Sequence, residues 1–234
     1  MATTVRRVGL LGGMSWESSV EYERMINQGV RAALGGTHSA DLVIRSYDFA
    51  EIEALQVDER WDEMATLLAT DARMLEDAGA EVIALCTNTM HRVADSIEAA
   101  LDSAEFVHIA DATAAAVVED RVQHVGLVGT RYTMELDFYR SRLERAGLQV
   151  TVPDEPDRTM IHDTIYNELV RGVIDDDSRR RVTESVERLE QRGARGVIAG
   201  CTEIELLVRP DDVELAYFPT TALHAESIVT RCLA

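Results

Sequence analysis

Gly193-Ala194-Arg195-Gly196-Val197-Ile198-Ala199-Gly200-Cys201-Thr202-Glu203, set beside Gly79-Ala80-Glu81-Val82-Ile83-Ala84-Leu85-Cys86-Thr87-Asn88-Thr89, decides the reading of this chain. Each stretch opens with Gly-Ala, continues as a short apolar run and ends in small polar and thiol groups. A second pair of landmarks keeps the same order: Val8-Gly9-Leu10-Leu11-Gly12 and Val125-Gly126-Leu127-Val128-Gly129. Self-similarity at long period is the mark of a duplicated supersecondary unit. A strand that delivers a thiol or hydroxyl to its tip, twice, points to two opposed groups facing one substrate. Such a pair can take a proton from one face of a carbon and return it to the other.

Working outward from these tips, strands are expected at 5–11, 41–47, 81–86, 107–110, 124–129, 148–152 and 196–200, with a short extended piece at 217–219. Helices are expected at 15–34, 60–78, 89–101, 113–120, 132–146, 159–171, 177–192, 203–208 and 221–232. Ser15 is a candidate N-cap, with Glu17 in the first turn. Strands alternating with helices imply parallel sheets covered on both faces, which bind ligands beyond the strand C-termini. The expected domains are 1–114 plus 219–234, and 115–218.

Composition narrows the function. The 234 residues include 42 acidic and 23 basic side chains, a formal charge of −19, and every basic residue is arginine. Such a surface repels nucleic acid, and it is the kind of charge balance used by halophiles. No apolar run is long enough to span a membrane. No signal segment is expected at the N-terminus, and three cysteines (86, 201 and 232) make no even disulfide framework and no Cys-x-x-Cys spacing. A reducing cytoplasm is the expected setting.

Several chemistries are disfavoured. Gly9-Leu10-Leu11-Gly12-Gly13-Met14-Ser15 is neither a dinucleotide fingerprint nor, without lysine, a P-loop. Its turn and helix start suit a carboxylate. The six histidines (38, 91, 108, 124, 162, 224) are scattered with no metal-type spacing, so no metal is expected. No G-x-S-x-G elbow is present. Trp16 and Trp61 read as core or packing residues, and Asp175-Asp176-Asp177 as a solvated loop and helix cap. At Cys201 the following helix is expected to lower the thiol pKa, with Thr202 and Glu203 beside it. Cys232 reads as structural.

Gly9 to Ser18, Cys86-Thr87-Asn88-Thr89-Met90-His91, Gly129-Thr130-Arg131-Tyr132-Thr133-Met134 and Gly200-Cys201-Thr202-Glu203-Ile204 together resemble the aspartate/glutamate racemase family over nearly the whole chain. The resemblance implies two pseudo-symmetric α/β domains with the active site in the cleft between them, no cofactor, and an amino-acid substrate. A homodimer is common among similar proteins. It further implies Thr87 and Cys201 as the catalytic pair, with substrate contacts from Met14, Ser15, Gln56, Asn88, Thr89, Glu168, Thr202 and Glu203. Most of the family carries Cys-Asn-Thr at the first tip; this chain has Thr87-Asn88-Thr89, with Cys86 one place earlier. Gln56 stands where many aspartate-specific relatives have arginine, which removes a bidentate fork for a side-chain carboxylate.

The repeat can be aligned in two ways. Matching Gly79-Ala80 to Gly193-Ala194 sets Thr87 opposite Cys201; matching Val82-Ile83-Ala84 to Val197-Ile198-Ala199 sets Cys86 there. Side chains alternate along a strand, so Cys86 and Thr87 are not expected to face the same way. The first alignment, which also pairs the polar trios, is favoured. A Thr/Cys pair is expected to be asymmetric, because a hydroxyl holds its proton more tightly than a thiol. Two other functions fit the same residues: a related decarboxylase or isomerase using Cys201 alone, and a non-catalytic amino-acid-binding protein.

Overall fold

A computed structural model describes residues 5–234. The chain forms two compact units, Met1–His108 with His224–Ala234, and Ile109–Leu223. The crossings therefore fall at 108/109 and 223/224, against the expected 114/115 and 218/219. The reason is that the helix Ile109–Glu119 packs Ile109, Ala110, Ala114 and Val117 into the core of the second unit.

The first unit holds β1 (Val8–Gly12), α1 (Trp16–Leu34), β2 (Leu42–Ser46), α2 (Phe49–Val57), α3 (Trp61–Asp77), β3 (Val82–Leu85), a 3-10 turn (Thr89–Val93), α4 (Ala94–Ala100) and β4 (Glu105–Val107). Its sheet is parallel, in the order β2-β1-β3-β4. The second unit holds α5 (Ile109–Glu119), β5 (His124–Gly129), α6 (Arg131–Glu135), α7 (Asp137–Arg145), β6 (Gln149–Thr151), α8 (Asp157–Asn167), a 3-10 turn (Leu169–Arg171), α9 (Asp176–Gln191), β7 (Gly196–Gly200), α10 (Thr202–Leu207), a 3-10 turn (Pro210–Asp212) and β8 (Ala216–Pro219). Its sheet repeats the order, as β6-β5-β7-β8, also parallel. Helix α11 (Thr220–Cys232) begins in the second unit and ends in the first.

The central strands are buried along their whole length: every residue of β1, β3 and β7 is inaccessible. Continuous apolar runs are what parallel strands with helices on both faces require. The helices bury one stripe each, such as Tyr22, Ile26 and Val30 of α1 or Met64, Leu68, Ala72 and Leu75 of α3.

Alternation sorts the cores. In the first unit, Leu11, Ile83 and Leu85 pack on the α2/α3 side, while Val8, Leu10, Val82, Ala84 and Cys86 pack against α1 and the end of α11. In the second, Val197, Ala199 and Cys201 face α8, α9 and α10, while Val125, Leu127 and Ile198 face α5 and α7.

Three expectations change. Helix α2 is not among the expected elements, because the apolar side chains of its nine residues are spread around the helix rather than along one face. The strand expected at 107–110 is Glu105–Val107, since Ile109 and Ala110 already belong to α5. Trp16 is 65% exposed rather than a core residue; Trp61 is half-buried beneath the Arg92 guanidinium, 4.1 Å from its ring. Asp175 does cap a helix, accepting from the Asp177 and Ser178 backbone N–H groups.

Candidate active site

The strand register settles which residues of the two tips correspond. In the first sheet Leu11 pairs with Leu85; in the second Val128 pairs with Ala199 and Gly129 with Gly200. Val8 pairs with Val82, as Val125 does with Gly196. With Val8–Gly12 matched to Val125–Gly129, Leu85 takes the place of Ala199 and Cys86 that of Gly200. Thr87 then stands in the position of Cys201. Burial agrees: Cys86 is 0% exposed, on the α1 side, whereas Thr87 is partly accessible. A one-residue offset reverses the face, so the two neighbours have opposite surroundings.

The first tip is assembled by the β1–α1 turn. Gly13 has φ +82°, and a Cβ there would lie 2.3 Å from the Tyr47 backbone nitrogen, so only glycine fits. The Met14–Ser15 peptide is cis, and both residues are buried. Ser15 caps α1, its hydroxyl accepting from the Ser18 N–H, and the Ser18 hydroxyl donates to the Cys86 carbonyl at 3.3 Å. That bond ties the turn to the end of β3. Asn88 and Thr89 follow, both buried. Gln56, buried at the end of α2, donates from Nε2 to the Met90 sulfur at 3.1 Å. The structure thus draws Gln56 against the turn that follows Thr87 and Asn88.

At the second tip, Gly129 and Gly200 sit so close that a Cβ on Gly129 would meet the Gly200 carbonyl oxygen at 2.7 Å. Cys201, 6% exposed, donates its Sγ–H to Glu203 Oε2 at 2.9 Å. The expectation of a lowered thiol pKa is overturned. Burial, and then the Glu203 carboxylate, push the Cys201 thiol up, and the N–H groups of Ile204 and Glu203 only partly oppose them. Cys201 therefore rests as a thiol with its proton held by a carboxylate. Burial likewise pushes the Cys86 thiol up, with no carboxylate beside it.

Thr202 accepts from the Thr221 hydroxyl at 3.1 Å, and Thr220 donates to the Ala199 carbonyl at 2.8 Å. Glu205, one turn on, accepts from the Thr221 N–H at 2.8 Å; burial pushes its carboxyl up to about 8. Glu168, also expected at the site, ends α8 and accepts from the Ser178 hydroxyl at 2.6 Å, so its carboxylate braces the start of α9.

Sequence reasoning missed Glu205, whose partners are sixteen residues away along the chain. It also missed a buried histidine cluster behind the first tip. His91 and His108 rings lie 4.4 Å apart and His91 and His224 rings 5.8 Å apart. His224 donates from Nε2 to the Val107 carbonyl and accepts the Tyr22 hydroxyl at Nδ1, both at 2.8 Å. Nothing in the spacing of these residues signals the cluster. Among the described residues, no group of three or more His, Cys, Asp or Glu is placed to hold a metal ion, and no helix is long and apolar enough to cross a membrane.

Known proteins share this architecture and sequence. Residues 11–228 match the Asp/Glu/hydantoin racemase family. A crystal structure from Yersinia pestis, named as a "putative Asp/Glu racemase", is 49% identical, with a TM-score of 0.92 covering 98% of this chain and 100% of that one. An aspartate racemase homologue from Pyrococcus horikoshii is 31% identical, with a TM-score of 0.84 over 97% and 99% of the two chains. The aspartate racemase of Picrophilus torridus, at 17% identity, shares the fold with a TM-score of 0.75 over 97% of this chain and 94% of its own. The chain belongs to the Asp/Glu/hydantoin racemase family.

Proposed function

We propose that this protein is a racemase that inverts the α-carbon of an acidic or related amino acid, with Cys201 and Thr87 as the two acid–base groups and no cofactor. The observation that carries the reading is the register: the two sheets present Thr87 and Cys201 at equivalent positions, one with a hydroxyl and one with a thiol. The Cys201–Glu203 bond supplies the working base. Transfer of the Sγ proton to Oε2 breaks S–H, forms O–H and leaves a thiolate beside a neutral carboxyl. The thiolate then removes the Cα proton and becomes a thiol again; the Thr87 hydroxyl gives its proton to the opposite face of Cα, and solvent reprotonates the alkoxide while the Glu203 carboxyl releases its proton, which resets the site. Met14, Ser15, Gln56, Asn88, Thr89 and Thr202 are assigned to holding the substrate. Glu203 acts on Cys201, and Glu168 is assigned to local structure rather than to contact.

Free enantiomers have equal free energies, so kcat/KM must be the same in both directions. The Thr/Cys asymmetry shows instead in hydrogen exchange. For the enantiomer whose Cα–H faces Cys201, deuterium enters with retention faster than with inversion, because Thr87 is the poorer proton-transfer group.

The test is Cα deuteration of L-Asp, L-Glu and L-homoserine in D2O, read by NMR with chiral analysis, without added pyridoxal phosphate or metal. Deuterium at Cα together with the appearance of the D-form supports the reading. No label in any substrate leaves a binding protein; label with decarboxylation points to the related chemistry.

A further inference from the structure

We infer that His91 is a positioning residue for the first tip, holding Thr87 and Asn88 in a tight turn by replacing a main-chain donor with its ring; the inference rests on the assignment of Thr87 above. The segment after β3 is a 3-10 turn, Thr89–Val93, in which the His91 N–H bonds the Asn88 carbonyl at 3.1 Å. In an α-helix that N–H would bond the residue four back, Thr87. The 3-10 register takes this donor from the Thr87 carbonyl. The His91 ring replaces it: Nδ1 lies 2.7 Å from Thr87 O. A carbonyl oxygen can only accept, so Nδ1 carries the proton.

The ring cannot swing away, because it is buried against its neighbours. His108 packs edge-on at 4.4 Å, Phe106 at 5.8 Å, and His224 at 5.8 Å. His224 is itself fixed by bonds to Val107 and Tyr22. Tip geometry is thus built into the core of the first unit. Loss of the ring donor would favour the α register, swinging the His91 N–H onto Thr87 O and turning the peptide between Thr87 and Asn88.

His91→Phe fills the ring volume without the donor. His91→Asn restores a donor four residues from its acceptor, as Asn27 does in this protein, where Nδ2 bonds the Glu23 carbonyl at 2.9 Å. Two readouts are needed. The first is the ratio of inversion to retentive Cα deuteration. His91→Phe is expected to lower it about 10- to 100-fold, because a shift of Asn88 slows both kinds of exchange alike while the turned Thr87 slows inversion alone, and His91→Asn to recover most of that loss. The second is amide hydrogen exchange of the peptide spanning 86–93, which should lose protection in His91→Phe, with other peptides unchanged, and regain it in His91→Asn.

An unchanged ratio, or equal loss of both kinds of exchange with a lower melting temperature, overturns the inference. A wild-type protein that exchanges neither face removes the racemase assignment instead, and the 86–93 protection then decides alone whether His91 holds the tip.

Discussion

The tips of β3 and β7 occupy equivalent places in two sheets of the same order, yet they are built for different chemistry. Behind Cys201 stand carboxylates: Glu203 receives its proton, and Glu205 lies bonded to the Thr221 N–H. Behind Thr87 stands a cluster of imidazole rings, with His224 lowered to about 4 by burial and His91 bonded to the Thr87 carbonyl. The thiol of the first tip, Cys86, has slipped one residue back into the apolar core. Duplication preserves strand order and register because a core cannot tolerate their loss. The residue just beyond the last strand pair is free to diverge, and there the two tips part.

The largest effect is expected from Cys201→Ser. Removing the thiol should lower inversion by about 10²- to 10⁴-fold while leaving the melting temperature nearly unchanged; a variant retaining most of its rate would show that the tips do not differ as described. Glu203→Gln keeps the shape but removes the proton acceptor, and should slow deuteration on the Cys201 face roughly tenfold or more. Retained wild-type exchange would disconnect the carboxylate from the thiol.

Glu205 tests what lies behind the second tip. Its folded pKa, about 8, lies above that of an exposed carboxyl. The folded state therefore binds more protons than the unfolded state between about pH 4.5 and 8. Stability from this group is present at the acid end and is lost as pH rises through that window. Urea midpoints should fall with pH in the wild type, with a slope of up to about 1.4 kcal/mol per pH unit, and flatten in Glu205→Gln. An identical slope in both proteins counts against the buried carboxyl.

Cys86→Ala should cost about 1 kcal/mol of packing and leave the inversion-to-retention ratio alone. A changed ratio would return Cys86 to the site. Thr87→Cys makes the first tip resemble the second, but Thr89 stands where the second tip has Glu203. A gain of a few-fold in inversion relative to retention is expected, worth about 0.5–1 kcal/mol of barrier. A large gain would mean that the thiol alone, without its carboxylate, sets the difference.

Much of this was legible in the chain. The stretches 5–11, 81–86, 124–129 and 196–200 read as strands because parallel strands covered on both faces need near-continuous apolar runs. Ser15 and Asp175 read as caps because their side chains bond nearby N–H groups, a purely local matter. Trp16 did not: large apolar side chains are usually buried, but this one projects from the first turn of α1. Nor did the state of Cys201, since a helix start that favours a thiolate was outweighed by burial and a neighbouring carboxylate.

The duplicated α/β plan, the glycine turns and the two polar tips follow from the residues alone, because strand periodicity, turn geometry and capping act over a few residues. The sequence leaves Cys86 and Thr87 as rivals. Their positions are distinguished by the pairing of β3 with β1 and of β7 with β5, since register is fixed by which residues pair across neighbouring strands. The same holds for His91, His108 and His224, which meet only when β4 and α11 are brought beside the end of β3. Packing of this kind depends on the whole unit closing around a core, and no local pattern records it.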